Sequence, residues 1–188
     1  RNIAKTVNIL ALLDSLGIKK LALLCAMILC SCSTNIQLLE NGDPHFNTAP
    51  DFSILLHTNE NYRSKEILEL IHLNGKPVVI NFWFPSCPPC RTEMPHIESS
   101  YRTYKGQVEF VAIQQIGIDS IEDGQEFVRE FGLTFAVGPD ETGEIITDYE
   151  LTAFPSTYFL DKDHKIIHKW TGELNKGEIE KLVKDIVP

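Results

Sequence analysis

The sequence predicts an α/β fold with a mixed central sheet flanked by helices. Three patterns carry that expectation: short apolar runs of strand length, intervening stretches with apolar residues three and four apart, and a strand pair followed by a helix at the end. The length of 188 residues, with 43% apolar and 23% charged content, suits one globular domain with a tail.

Each element can be justified in turn. Phe52 to Leu56 is a short apolar run and reads as a strand, and Ser64 to Leu73 reads as a helix with Ile67, Leu68, Ile71 and His72 on one side. Pro77 to Phe84 (PVVINFWF) is nearly all apolar, as a strand covered on both faces should be. Pro88 to Lys105 reads as a helix, with Met94, Ile97, Tyr101 and Tyr104 on its apolar side and Pro95 expected to kink it. Val108 to Ile113 is a second buried strand, and Ile121 to Phe131 a helix with Phe127, Val128 and Phe131 as its stripe. Thr157 to Leu160 and Lys165 to Trp170 form a hairpin around Asp161-Lys162-Asp163-His164. Gly177 to Val187 closes the chain as a helix facing inward through Ile179, Leu182, Val183 and Ile186. There is no internal repeat and no low-complexity tract.

Ahead of the domain, residues 19–32 read KKLALLCAMILCSC: two lysines, nine apolar residues from Leu21 to Leu29, then small residues ending in Cys32. That is the pattern of an export leader. Leu29-Cys30-Ser31-Cys32 also resembles a bacterial lipoprotein cleavage box, with Cys32 as the lipid-bearing residue; Cys30 fits less well because Leu29 would occupy the small-residue position. An uncleaved span competes, although Ser31, Ser33, Thr34, Asn35 and Gln37 interrupt the roughly 20 apolar residues a span needs. A buried core helix fits the polar flank least. Residues 1–18 are a long extension set aside from the fold, and residues 33–50 read as a polar tether, leaving 51–188 as the domain. The expected location is extracytoplasmic, anchored in a membrane; Ser33 after Cys32 fits sorting to an outer membrane where a cell has one.

The formal charge of −9 excludes a nucleic-acid binder, which needs a basic stripe. Without residues 1–32, 13 Lys plus Arg face 25 Asp plus Glu. Cysteine placement is more informative. Cys25, Cys30 and Cys32 lie in the leader, and only Cys87 and Cys90 lie beyond it, two residues apart in NFWFPSCPPCRTEMP. A structural zinc site needs four ligands, usually two such pairs, and His96 on the next helix does not complete one, so no metal and no cofactor are expected. A structural staple across so short a loop constrains little of the unfolded chain. The remaining reading is a redox pair. Cys87 falls where a strand gives way to a helix, so the helix N-terminus favours its thiolate, and Cys90 lies one turn in, placed to resolve a mixed disulfide.

NFWFPSCPPCR resembles the strand–CxxC–helix unit of thioredoxins. GKPVVINFWFPSCPPCRTEMP, with APDFSI before it and FPSTYFLDKDHKI after it, is similar to the membrane-anchored oxidoreductases of the TlpA/ResA type over most of residues 49–187. The resemblance implies a thioredoxin fold with an N-terminal extension and a helical insertion, supplied by Ile121 to Tyr149, before the final hairpin. It also implies that Pro155 is a cis-proline facing the CxxC. Two departures stand out: Asn81 replaces the buried aspartate of thioredoxin, and Ser86 its tryptophan. Glu93, three residues after Cys90, matches the family's acidic residue; positions three apart share a helix face, so its carboxylate can exchange the resolving thiol's proton. The bland alternative is a first-turn glutamate complementing the helix dipole.

For the direction of electron flow, Pro88 and Pro89 offer the sulfur no N–H and no positive charge, and Glu93 offsets the cation of Arg91. The thiolate should therefore be only modestly stabilised, which argues for a reducing couple. The resemblance implies the same: reduction of disulfides in exported proteins, apocytochrome c for example, with electrons from a membrane-embedded thiol reductase. Phe84, Pro85, Ser86, Pro88, Pro89, Phe154 and Ser156 are expected to form a rim that holds an extended substrate strand. For Phe82 and Trp83 the core is favoured for at least one. A disulfide oxidase or isomerase on the same fold, and a non-catalytic binding lipoprotein, are the alternatives. A peroxidase is disfavoured because no Pro-x-x-x-Thr run precedes Cys87.

Overall fold

A computed structural model describes residues 48–188. The leader, Cys25, Cys30, the proposed lipid site Cys32 and most of the tether lie outside the described residues. Among those described, no helix is long and apolar enough to cross a membrane.

The architecture is a five-stranded mixed sheet with three helices on one face and a small two-stranded layer with a short helix on the other. β1 (Ser53–Leu55) and β2 (Ile67–Glu69) pair antiparallel, followed by a 3₁₀ turn at Leu70–Leu73. β3 (Val78–Trp83) leads into α1 (Pro88–Tyr104), then β4 (Glu109–Gln115), α2 (Ile121–Phe131), β5 (Ala136–Asp140) and α3 (Glu144–Asp148). β6 (Ser156–Leu160), β7 (Ile166–Thr171) and α4 (Lys176–Lys184) complete the chain. The sheet order is β5-β4-β3-β6-β7, with β3, β4 and β5 parallel and β6 and β7 antiparallel.

β3 lies at the centre, and all six of its residues are buried. Successive side chains point to opposite faces of a strand. Val79 and Trp83 therefore join Met94 and Ile97 of α1, Phe127 of α2 and Ile179 and Val183 of α4 in one core. Val78, Ile80 and Phe82 join Phe52, Ile54, Leu70 and Tyr149 in the other. Both Phe82 and Trp83 are fully buried, one in each core. The end of the 33–50 stretch lies on the domain: Thr48 bridges to Lys165, and the Ala49 N–H donates to the His164 carbonyl at 2.9 Å.

Two stretches differ from the sequence reading. Ser64 to Leu73 is not a helix. Lys65 has a positive φ of 69°, which breaks any helix there, and residues 67–69 pair with β1 in the register Ser53–Glu69, Ile54–Leu68, Leu55–Ile67. The expected stripe does not face inward either: Ile67 is 61% and Ile71 53% exposed, whereas Leu70 is buried. Here a long-range strand partner overrides the local spacing. Secondly, the insertion at 121–149 holds, besides two helices, the edge strand β5, where Pro139 needs no outward donor. Pro95 lies within α1, which continues through it to Tyr104.

Helix ends follow local chemistry. The Ser120 hydroxyl accepts the Asp123 N–H at 3.1 Å, while Asp123 accepts the Ser120 N–H at 2.8 Å, a reciprocal cap that starts α2; left-handed Gly132 ends it. Gly124, on the buried side of α2, admits no side chain: a Cβ there would lie 1.8 Å from Gln114 Oε1. Gly124→Ala should therefore destabilise the domain by about 1–3 kcal/mol, read as a lowered urea midpoint. In a Gln114→Ala background the same change should cost little, and equal costs in both backgrounds would show that the clash is not the cause.

Candidate active site

The central strand ends at Trp83, and the chain passes through Phe84, Pro85 and Ser86 to Cys87, which caps the N-terminus of α1. The first four N–H groups of a helix have no intrahelical partner, and proline is tolerated there because it has none to offer. Pro88 and Pro89 occupy the first two helical positions, so the first turn presents few amides. The Cys90 N–H is directed at Cys87 Sγ, at 3.2 Å. Cys87 and Cys90 are joined as a disulfide, and both are buried, Cys87 at 2% exposure and Cys90 at 0%.

Glu93, three residues after Cys90 on the same helix, has no exposed surface. Its Oε1 accepts from Asn81 Nδ2 at 2.6 Å and its Oε2 from the Leu174 backbone N–H at 2.9 Å. Asn81 Nδ2 also donates to Thr157 Oγ1 at 3.0 Å, so the carboxyl is tied to β3, β6 and the loop before α4. Burial raises its pKa from the ordinary 4.5 to about 7, against the lowering effect of these two hydrogen bonds and with a small upward push from Glu173. The contrast with Glu98 one turn further on is instructive. That buried carboxylate binds Arg102 at 2.6 Å and the Thr134 N–H and hydroxyl at 2.9 and 2.7 Å, a structural anchor with its own cation. Among the described residues, Glu93 has no cation against it.

Arg91 is turned away from the pair. Its guanidinium lies over the rings of Phe127 and Phe131, at 5.2 and 5.0 Å, and pairs with Glu130, while Nη1 donates to the Pro85 carbonyl at 3.3 Å. The charge of Arg91 is thus met by Glu130 rather than by Glu93.

The Phe154–Pro155 peptide bond is cis, and Pro155 is buried at the start of β6. Phe154 meets Phe84 edge to face at 5.5 Å and packs against the core that contains both cysteines. Of the other expected rim residues, Ser86 and Pro88 are exposed, Pro89 is half-buried and Pro85 is buried. Ser156 is buried, and its hydroxyl donates to the Ala153 carbonyl at 2.9 Å, into the turn rather than outward. Three contacts lay beyond the sequence reading: Asn81 as a donor to Glu93, the Leu174 N–H, and Asp119, whose Oδ2 accepts both the Ser86 N–H at 2.9 Å and its hydroxyl at 2.8 Å. Position on β3 signals the first, since Asn81 shares a strand face with Val79 and Trp83, toward α1. The other two have no local signal.

This arrangement holds two sulfurs at a helix N-terminus, with a buried carboxyl of raised pKa three residues on in the same helix, which is the equipment for thiol–disulfide exchange. Residues 46–169 match the AhpC/TSA family. The thiol-disulfide oxidoreductase ResA of Oceanobacillus iheyensis is 35% identical over 143 residues, spanning 76% of this chain and 72% of that protein. The protein of that name from Bacillus cereus is 37% identical over 122 residues, 64% and 69% of the two chains. Among solved structures, a thiol:disulfide interchange protein of the thioredoxin family from Chlorobium tepidum superposes with a TM-score of 0.67 at 21% identity, covering 78% of this chain and 100% of that one. The fold is therefore that of thioredoxin, as the β3–CxxC–α1 unit implied. With the family match spanning 124 residues and the ResA relatives covering most of the domain, the chain belongs to the AhpC/TSA family and, within it, to the ResA-type thiol-disulfide oxidoreductases.

Proposed function

We propose that this chain reduces disulfides in exported proteins, apocytochrome c among them, outside the cytoplasm. In this reading a lipid on Cys32 holds it at a membrane, and a membrane-embedded thiol reductase recharges it. One observation carries the direction: Cys87 Sγ receives a single amide, from Cys90, while the nearby cation Arg91 is paired with Glu130. A sulfur so placed gains from the helix N-terminus but from little else, so its thiolate is only modestly stabilised. Strong disulfide oxidants need the opposite.

The Cys87 thiolate attacks one sulfur of the substrate disulfide, that bond breaks, and the departing substrate thiolate takes up a proton. A mixed disulfide now joins Cys87 to the substrate. The Cys90 thiol gives its proton to the Glu93 carboxylate, and the new thiolate attacks Cys87 Sγ, expelling the second substrate thiolate, which is protonated in turn. Two electrons have passed to the substrate, and the Cys87–Cys90 disulfide is the product state. Phe84, Pro88, Pro89 and Phe154 are the rim against which an extended substrate strand would lie, with the backbone around cis-Pro155 as its hydrogen-bonding edge.

The reduction potential of the pair tests this reading, measured by thiol alkylation and mass across dithiol buffers. We expect a value near or below about −250 mV, close to thioredoxin at about −270 mV. A value near about −120 mV would make the protein an oxidant instead.

A further inference from the structure

We infer that Asp119 is a positioning residue for the reactive disulfide: it clamps the residue ahead of Cys87 and keeps a negative charge at the turn that carries the attacking sulfur. The inference rests on the thiol-exchange reading above and adds a determinant of its direction.

The clamp is bidentate toward one residue. A single oxygen, Asp119 Oδ2, accepts the Ser86 N–H at 2.9 Å and the Ser86 hydroxyl at 2.8 Å. Ser86 is the last residue before Cys87, so this carboxylate fixes the turn that delivers the sulfur to the helix N-terminus. Charge-assisted bonds of this kind are the strong ones, and an N–H held by an oxyanion is not free to stabilise a neighbouring thiolate.

The loop that carries Asp119 is itself held from inside. Gln114 Nε2 donates to the Ser120 carbonyl at 2.7 Å, and Gln114 Oε1 lies 3.0 Å from His57 Nε2. Gly124 leaves the space the Gln114 amide occupies. The next residue, Ser120, is pinned by the α2 cap. Asp119 therefore projects from a fixed platform across to the Cys87 turn.

Its charge is also the one aimed at that turn. A cavity of about 250 Å³ at the turn that precedes Cys87 is lined by Pro85, Ser86, Asp119 and Asp123 together with Arg91 and Glu130. Asp123 is committed to the Ser120 cap, Glu130 to Arg91, and the neighbouring Glu126 to Arg129. In the interior Glu93 is held by Asn81, and behind Gln114 lies His57, which burial keeps below its ordinary pKa of 6.5. No free cation among these offsets Asp119. Like charge opposes thiolate formation and so favours the disulfide over the dithiolate, which makes the couple more reducing.

The test compares Asp119→Asn, which keeps an acceptor for Ser86 and removes the charge, with Ser86→Ala, which keeps the charge and one of the two hydrogen bonds. For each reduced protein the pH profile of iodoacetamide alkylation at Cys87 reports the thiolate fraction, and the equilibrium with dithiothreitol reports the couple. Asp119→Asn should raise the thiolate fraction at pH 7 about threefold to tenfold, and move the dithiothreitol equilibrium toward the dithiol about twofold to threefold, about 10–15 mV for a two-electron couple. Ser86→Ala should leave the alkylation profile nearly unmoved. An Asp119→Asn profile superimposable on the parent, with the oxidised variant folded by circular dichroism, overturns the inference. That outcome is separate from the reductase reading, which depends on the absolute potential of the parent and not on its change.

Discussion

Cys90→Ser should arrest the protein as a covalent complex with its substrate, while Cys87→Ser should leave it unable to begin. The two sulfurs are chemically equivalent but differently placed. Cys87 caps the helix and borders the exposed residues Ser86 and Pro88, whereas Cys90 is fully buried one turn in, with its own N–H directed at Cys87. In the proposed mechanism attack therefore begins at Cys87, and Cys90 resolves what forms. With Cys90→Ser the first exchange proceeds and the second cannot, so turnover falls by roughly 10³-fold or more while a mixed disulfide accumulates. Mass spectrometry on the variant mixed with a disulfide peptide should find one peptide mass added at Cys87. Cys87→Ser should show neither turnover nor adduct, with circular dichroism unchanged. An adduct on Cys90 in the Cys87→Ser protein would reverse the assignment of attacking and resolving sulfur.

What the sequence revealed follows the range of the forces involved. The CxxC unit was legible because strand, turn, thiols and helix are contiguous, and each is specified by its neighbours. α2 was read with both ends correct, since its cap residues Ser120 and Asp123 and the terminating Gly132 are local signals. β2 was misread because its identity lies in β1: the spacing of Ile67, Leu68 and Ile71 fits a helix, and only the partner strand, 12 residues away at Leu55–Ile67, decides otherwise. β5 escaped notice because Ala136-Val-Gly-Pro-Asp140 has neither alternation nor length, and its place at the edge excuses the proline. The site divides in the same way. Glu93 was singled out through the family resemblance, and its spacing of three from Cys90 puts the two on one helix face. Asn81 was read as the loss of a proton acceptor, whereas it is a donor to that same glutamate, a relation between β3 and α1 that no local pattern states. Asp119 reaches Ser86 across 33 residues of sequence.

Glu93 should make the domain lose stability as the pH rises through the range where the protein works. Its pKa in the folded state is about 7, against 4.5 in an unfolded chain. Below pH 4.5 both states hold the proton, and the contribution is fully present. Between 4.5 and 7 the unfolded chain releases the proton while the folded one keeps it, so unfolding is favoured progressively; above 7 both are ionised and the loss is complete. At about 1.4 kcal/mol per pKa unit, the difference amounts to about 3 kcal/mol. Glu93→Gln removes this dependence, so urea unfolding of the oxidised proteins should show the variant gaining on the parent by about that amount between pH 4.5 and 8. Parallel profiles would mean that Asn81 and Leu174 hold the group ionised throughout. The same substitution should slow resolution of the mixed disulfide by about 10²-fold, because Cys90 loses the base that takes its proton. The two effects have one cause. A carboxyl buried without a cation lowers stability at neutral pH, and that burial is what brings its pKa to where a thiol's proton can be taken up and returned. Had Glu93 been given a cation, as Glu98 is by Arg102, the domain would be more stable at pH 7 and the base too weak to serve the sulfur beside it.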